Sequence, residues 1–298
     1  MLSIPTLKVL RKWRDRAFLA REWVRERIEL RDRKRVLAWP PWPSFEQSLR
    51  LGFARTRHEL QFGPVPPGGG DFDVVLPLTN DQIIACAEDE VLTRRNPLPL
   101  PRREIVELCD DKEALNARLT EEGFGAHVPG VPAPGEYPYF LKKRRDAGSQ
   151  NIYRIDGVED ERAHAALLHA PDYFRQRCIA GEVEYAAHLL HFGGRIRQAL
   201  TMRYSMPSPV AIKWRDPALL QRRCRNHPDH LRLFARMLTA IGFEGICCVN
   251  YKVQAGAPQV FEINPRIGLT LGYFFPIFLR SLDWSRSRPD ARRASAKN

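Results

Sequence analysis

The stretch that decides the fold is VFEINPRIG, from Val260 to Gly268. Its apolar residues are interrupted at alternate positions by Glu262 and Asn264, which places a carboxylate and an amide on one face of a strand. Pro265 ends the strand, and Arg266 follows it. Taken alone, this pattern is typical of an edge strand with one solvated face. Its meaning therefore depends on the rest of the sequence.

Length and composition indicate a globular protein. The chain has 298 residues, of which 44% are hydrophobic, enough for a sizeable core and two or three subdomains. No apolar run approaches the roughly 20 residues of a membrane span, and the N-terminus lacks the short apolar core of a secretory signal. We expect a cytoplasmic protein without a transmembrane segment.

The cysteines lack the spacing of a metal site or a C-x-x-C pair, so we expect reduced, structural thiols. Cys247 and Cys248 are neighbours in an apolar strand and must point to opposite faces, so at least one should be buried. The six cysteines are Cys86, Cys109, Cys178, Cys224, Cys247 and Cys248.

The net charge of +12 is concentrated at the two ends of the chain. Residues 1–35 hold 12 basic and 5 acidic residues, and residues 284–298 hold 5 basic and 1 acidic residue. The body between them is nearly neutral, which argues against a nucleic-acid groove and leaves no specific nucleic-acid partner. Basic tails are instead typical of solvated extensions or of contacts with an acidic partner.

The N-terminal segment, from Leu7 to about Lys34, has the apolar spacing of one long amphipathic helix with an arginine-rich opposite face. It could dock on the body of the same chain, or it could bind a membrane surface or a partner.

A small α/β unit follows the N-terminal segment. RVLAWP, ending at Pro40, predicts a short buried strand, followed by a helix capped at Ser44. DFDVVLPLT, from Asp71 to Thr79, predicts a second strand, parallel to the first. The unit lacks G-x-G-x-x-G, so a dinucleotide site is not expected.

Two motifs in the middle of the chain place a lysine at the start of a helix and at the end of a strand. Asp110 or Asp111 caps a helix that runs to Glu122, which places Lys112 in its first turn. Residues 137–155 predict a strand pair around RRDAGSQN, in which Lys142 ends the first strand. Such a turn exposes backbone N–H groups and would close over a polyphosphate.

Two further strand pairs complete the pattern. One turns at Gly193 and Gly194, and the period of two puts Glu182 and Glu184 on one face. A helix over about 230–241 leads to the second pair, which turns near Gly256 and ends in FEINPR.

In this order, the motifs over roughly residues 36–280 resemble the ATP-grasp superfamily, which includes D-alanine:D-alanine ligase and biotin carboxylase. The resemblance implies a mixed α/β (α+β) fold with a small parallel N-terminal subdomain, a lid and a C-terminal antiparallel sheet. We expect the N-terminal α/β domain over 36–109 and the ATP-grasp domain over 110–283, with its lid at about 127–180. The basic helix (1–35) and a basic tail expected to be disordered (284–298) flank them.

The resemblance also implies a nucleotide site. Lys112 and Lys142 hold the phosphates, with Lys143 as the alternative register, and the loop at Gly148 and Ser149 covers them. The hinge that meets the adenine comprises Gln176, Arg177, Cys178 and Ile179. The carboxylate that binds the ribose is Glu184, with Glu182 as the alternative.

Glu262 and Asn264 correspond to the metal-binding strand, and Asn250 stands where the family has a second metal acid. Magnesium prefers such oxygen ligands, and Mn²⁺ is an alternative. Arg266 resembles the arginine that binds the transferred phosphate, so Arg266 and Lys142 are the candidate catalytic residues.

The implied activity is that of an ATP-dependent ligase, which activates a small carboxylate as an acyl phosphate and joins it to an amine. An ATP-grasp kinase and a nucleotide-binding protein with weakened turnover are the alternatives. The sequence does not identify the substrates. His188, Arg203 and Lys213 are candidates for facing them.

Overall fold

The computed structural model describes residues 18, 20–22, 24–25, 30, 32–39, 42–54, 56–146, 150–213, 215–216 and 218–286. Their strands form three sheets. A parallel sheet has the order β2-β1-β3, with β1 at Arg35–Ala38, β2 at Glu59–Phe62 and β3 at Val74–Leu76. An antiparallel lid sheet has the order β5-β4-β6, with β4 at Tyr139–Lys143, β5 at Ile152–Ile155 and β6 at Tyr173–Arg177.

The third sheet, here the central sheet, is antiparallel and has the order β11-β10-β7-β8-β9. Its strands are β7 (Val183–Phe192), β8 (Arg195–Ser205), β9 (Leu220–Cys224), β10 (Gly245–Gln254) and β11 (Ala257–Asn264). The turn between β7 and β8 has Gly193 and Gly194 at φ of 58° and 70°, a left-handed conformation that favours glycine.

The helices precede or cover these sheets. Those of the first half are α1 (Pro43–Phe53), α2 (Asn80–Glu88), α3 (Glu90–Arg95), α4 (Arg103–Asp110) and α5 (Lys112–Leu119). Those of the second half are α6 (Val158–Ala163), α7 (Ala165–Leu168), α8 (Pro228–Ala240), α9 (Leu269–Gly272) and α10 (Pro276–Leu279).

The N-terminal unit has the predicted parallel strands but differs in its boundaries. Helix α1 begins at Pro43 with Trp42 as N-cap and no side-chain cap, so the prediction of a Ser44 cap is wrong. Proline suits the first helical position because its missing N–H is not needed there. The strand predicted over Asp71–Thr79 is confined to β3, since Thr79 instead caps α2 by accepting from the Gln82 amide. Strand β2 was not predicted.

The helix that the sequence predicts to run to Glu122 has regular α-helical geometry only as far as Leu119. Asp111 is its N-cap and accepts from the Ala114 amide, and α5 ends at Leu119. A wider turn continues to Phe124, and Gly123 within it has φ of 85°. The predicted end at Glu122 therefore lies beyond the regular helix, directly before Gly123, where the chain leaves helical geometry.

The central sheet separates two hydrophobic clusters. One lies against β1, β3, α1 and the C-terminal helices, and it includes Cys248. The other lies against α4, α5 and α8, and it includes Cys247. The prediction that these two cysteines point to opposite faces is confirmed, and both are buried. All six cysteines are free thiols.

Only parts of the two basic ends belong to the described residues. In the N-terminal segment Glu22 is buried and pairs with Arg280, the two atoms Oε2 and Nη2 lying 2.5 Å apart. The Arg223 guanidinium lies 3.7 Å from the ring centre of Phe18. These contacts favour packing of the segment on its own body. Residues 287–298 of the tail lie outside the described residues. Among the helices that the structure describes, none has the length and hydropathy of a membrane span.

Candidate active site

The strand of the opening motif carries its polar side chains toward the lid because of a local irregularity. The register of β10 on β11 shifts between Asn250, opposite Glu262, and Tyr251, opposite Val260. The extra residue, Phe261, lets both Val260 and Ile263 bury in the cluster with α8, while Glu262 is half-buried on the other side. The Phe261 ring lies 5.4 Å from the Lys142 ammonium.

The charges of two lysines from separate elements interact with that of Glu262. Lys112 is the first residue of α5, and its Nζ lies 3.7 Å from Glu262 Oε1 and donates to the Asp146 carbonyl at 2.9 Å. Lys142 lies on β4 and donates from Nζ to Gln176 Oε1 at 2.5 Å. Lys143, the alternative in the sequence register, turns the other way and pairs with Asp172 at 3.5 Å. Of these two neighbouring lysines, Lys142 is the one whose charge interacts with that of Glu262.

Burial sets the charge state of these groups. It lowers the pKa of Lys142 to about 8, with Lys112 adding to the fall and Glu262 and Glu184 opposing it. Burial acts to raise the pKa of Glu262, but Lys112, the Asn250 hydrogen bond and Lys213 outweigh it, so that pKa lies below its usual value. Glu262 is thus ionised at neutral pH, whereas Lys142 loses its proton in mild alkali.

Glu184, on β7, faces the same side of the sheet and is buried. Its Oε1 lies 2.5 Å from Nζ of Lys213, which also donates to Asn250 Oδ1 at 2.9 Å. Asn250 Nδ2 donates in turn to Glu262 Oε2 at 2.7 Å. Glu182 lies before the start of β7 and is exposed. Of the two carboxylates, only Glu184 is tied into the cluster around Glu262.

The side chains of the segment predicted to meet the adenine differ in burial and direction. Gln176 and Ile179 are buried, and Cys178 is half-buried. The Arg177 side chain points away and pairs with Glu136 at 2.6 Å. This segment connects β6 of the lid sheet to β7 of the central sheet.

Sequence reasoning missed two polar residues at the site. Asp110 was considered only as a helix cap; it accepts from Asn80 Nδ2 at 2.8 Å. Burial raises its pKa although Lys112, Arg145 and Arg266 act to lower it, which places those cations around it. Lys252, on β10, is buried and donates to the Pro209 carbonyl at 2.9 Å. Its position two residues after Asn250 was the available signal.

The three residues named as candidates for facing the substrate lie in different surroundings. Lys213 lies in the cluster. His188 is on the same face of β7 as Glu184 but is fully buried, with Nε2 2.8 Å from Thr270 Oγ1, and burial lowers its pKa to about 3. Arg203 lies opposite Tyr185 on the other face of the sheet. Arg203 and Glu184 therefore lie on opposite faces, because side chains alternate along β8.

Arg266, just beyond β11, is half-buried, and its charge acts on Asp110 and Cys248. Asn264 lies opposite Cys248 and is half-buried. Gly148 and Ser149 lie outside the described residues. The adjacent Asp146 side chain accepts from the Asn151 amide at 3.0 Å. Within the described part, no group of three or more His, Cys, Asp or Glu side chains is arranged to hold a metal ion on its own.

Several solved structures are similar to most of this chain. Phosphoribosylamine–glycine ligase from Thermotoga maritima has a TM-score of 0.57 at 13% identity, covering 80% of this chain and 70% of that one. A protein of the ATP-grasp superfamily from Archaeoglobus fulgidus has a TM-score of 0.55 at 15% identity, covering 84% of this chain and 88% of that one. D-alanine–D-alanine ligase from Bacillus anthracis has a TM-score of 0.53 at 12% identity, covering 84% and 97%.

No family model and no curated protein matches the sequence. The structural likenesses show that this chain has the ATP-grasp fold, and they confirm the mixed architecture of one parallel and two antiparallel sheets that the motif order implies.

Proposed function

We propose that this protein is an ATP-dependent ligase that activates a carboxylate as an acyl phosphate and joins it to an amine. The observation that carries the proposal is that Lys112 of α5 lies 3.7 Å from Glu262 of the central sheet, and that the charges of both act on the buried Lys142 of the lid sheet. Buried ammonium groups from elements distant in the chain match a polyphosphate anion, which they would neutralise as point charges. A complex with ATP is known for the Bacillus anthracis D-alanine–D-alanine ligase.

The nucleotide would lie between the lid sheet and the central sheet. Lys112 and Lys142 would hold its phosphates, the loop at Gly148 and Ser149 would cover them, and Glu184 would accept from the ribose hydroxyls. The adenine would meet the connection formed by Gln176, Arg177, Cys178 and Ile179. Since the Arg177 side chain is turned to Glu136, that residue would contribute only through its backbone.

A divalent cation fits the donor set only when the nucleotide contributes to it. Glu262 and Asn264 offer a carboxylate and an amide oxygen, with Asn250 as the third candidate, and Mg²⁺ typically takes one or two protein carboxylates together with substrate phosphates. When bound, Mg²⁺ (or Mn²⁺) would neutralise charge on the β- and γ-phosphates.

The chain's own residues would act by position and charge. The substrate carboxylate attacks the γ-phosphorus, the bond to ADP breaks, and an acyl phosphate forms. An amine then attacks the acyl carbon and phosphate leaves, giving an amide and a proton. Lys142 and Arg266 would stabilise the charge on the transferred group, and no protein nucleophile is required.

The direct test is a screen of small carboxylic acids crossed with amines, with release of ADP as the signal. A ligase releases ADP only when an acid and an amine are both present at steady state. ADP release that needs the acid alone would indicate a kinase. ATP binding without turnover across the panel would instead identify a nucleotide-binding protein.

A further inference from the structure

The side-chain amide of Asn250 is held in one orientation by two charged neighbours. Its Oδ1 accepts from the Lys213 ammonium at 2.9 Å, and its Nδ2 donates to the Glu262 carboxylate at 2.7 Å. The reverse orientation would point an N–H at an ammonium and an oxygen at a carboxylate. Both contacts would be repulsive, so the amide oxygen is committed to Lys213.

Lys213 is itself fixed at this position. Its side chain is 11% exposed, and its Nζ lies 2.5 Å from Glu184 Oε1 and 4.8 Å from the centre of the Tyr204 ring. The Glu184 carboxylate supplies the opposite charge that a buried ammonium needs. The segment is anchored on both sides: the Ile212 amide donates to Asp216, and Arg215 donates to the Ile152 carbonyl on the lid sheet.

A lysine in this place competes with a metal ion. A carbonyl-type oxygen holds Mg²⁺ at about 2.0–2.1 Å, along the same lone pairs that receive a hydrogen bond. A divalent ion on Asn250 Oδ1 would meet the Lys213 ammonium at close range, and repulsion between these charges is strong in a buried site. Lys213 does not contact Glu262 or Asn264 in the described structure. A carboxylate has about four lone-pair sites, so the Glu262 oxygens that face Lys112 and Asn250 can still hold one ion together with Asn264.

We propose that Lys213 is a built-in cation that takes the place of a second metal ion, so that the nucleotide binds with a single divalent cation on Glu262 and Asn264. This inference rests on the proposed ATP site. It makes Asn250 a positioning residue, which links Lys213 to Glu262, and not a metal ligand. The phosphates would then be neutralised by one divalent ion together with the lysine and arginine side chains of the site.

The test counts bound Mn²⁺ per bound nucleotide, by equilibrium dialysis of the full chain with a non-hydrolysable ATP analogue. We expect a ratio of one for the wild type. Asn250→Asp alone should stay at one, because the new carboxylate pairs with Lys213. The double variant Asn250→Asp/Lys213→Met should reach two, since the site loses a cation and gains a carboxylate. Lys143→Met, which removes a surface ammonium, is the matched control and should stay at one.

A ratio of two in the wild type would overturn the inference, and so would a ratio of one in a double variant that still binds the analogue. The wild-type count does not depend on whether the double variant folds. Failure of the wild type to bind the analogue at all would overturn the proposed function as well. The two failures are distinguishable, because a count of two leaves nucleotide binding intact.

Discussion

The Lys142 ammonium is buried beside a neutral partner. It donates to Gln176, whose carbonyl oxygen offers a dipole and no compensating charge. Desolvation of a cation is costly unless an anion replaces the lost water, and the carboxylate that acts most strongly on Lys142, Glu262, is shared with Lys112. The free site is therefore short of negative charge at this lysine, which is the condition under which a phosphate group binds well.

Replacing Lys142 with methionine should weaken the binding of an ATP analogue by roughly 10- to 100-fold, in line with the 1.5–3 kcal/mol of a hydrogen bond to a charged group. Titration calorimetry measures this directly. Lys143→Met is the matched control, because it removes an ammonium from the next position of β4, where the side chain is 40% exposed and pairs with Asp172. Equal losses in both variants would contradict the assignment of Lys142.

The affinity for the analogue should also fall as the pH rises through about 8. Lys142 has a pKa of about 8 in the free protein, so the ammonium is present below that pH and lost above it. Bound phosphates favour the charged form, so binding takes up a proton. At roughly pH 9 only about one-tenth of the free lysine is protonated, and affinity should be about tenfold below its plateau. In Lys142→Met this pH dependence should disappear.

At the scale of elements, the start of α5 connects the helix to the lid sheet. Asp111 caps α5 through the Ala114 amide, and the same carboxylate pairs with Arg144, the residue after β4, at 2.8 Å. The Lys112 amide also donates to the Arg144 carbonyl at 3.1 Å. One buried aspartate thus sets both the first turn that carries Lys112 and the end of the strand that carries Lys142.

The two roles of Asp111 should separate in a pair of substitutions. Asp111→Asn keeps a good N-cap but loses the charge, and should lower the free energy of unfolding by about 1–2 kcal/mol. Asp111→Ala loses the cap as well, which should cost about 1 kcal/mol more. Urea unfolding measures both. Glu113→Gln, which removes a 48% exposed partner of Arg144, should change stability by less than about 0.5 kcal/mol.

At the scale of the whole molecule, hydrophobic clusters enclose four of the six thiols. Cys109, Cys247 and Cys248 lie in the two clusters on the faces of the central sheet, and Cys86 lies in a third cluster with Val75 and Leu92. Cys86, Cys109, Cys247 and Cys248 are buried, and burial raises the pKa of each thiol. Cys178 and Cys224 are half-buried. Reactivity requires both access and the thiolate form. The folded chain should therefore protect four of its six cysteines from a thiol reagent.

We expect a thiol reagent to modify Cys178 and Cys224 slowly in the native protein, and the other four only after unfolding. An ATP analogue should protect Cys178, since it lies in the connection proposed to meet the adenine, and should leave Cys224 unchanged. Mass spectrometry of labelled peptides distinguishes the two sites. Rapid native labelling of Cys247 or Cys248 would contradict the description of the sheet, and unchanged labelling of Cys178 would contradict the proposed adenine position.

Local patterns in the sequence determined most of the elements. Alternation of apolar and polar residues predicted the strands that carry Glu184 and Glu262, and turn glycines predicted where each pair reverses. The cap at Asp111 fixed the position of Lys112. These features depend on residues within a few positions of each other, where backbone geometry leaves few alternatives. The order of the motifs then indicated the ATP-grasp fold.

Only the tertiary structure decided which polar groups meet. Asn250 and Lys213 are 37 residues apart, and Lys112 and Glu262 meet across 150 positions of the chain. No local pattern encodes such distances. The same holds for the bulge at Phe261 and for the face of the sheet on which Arg203 lies, since both depend on the register between strands. A one-residue shift in pairing reverses the face of every side chain, and packing of the whole core selects the register.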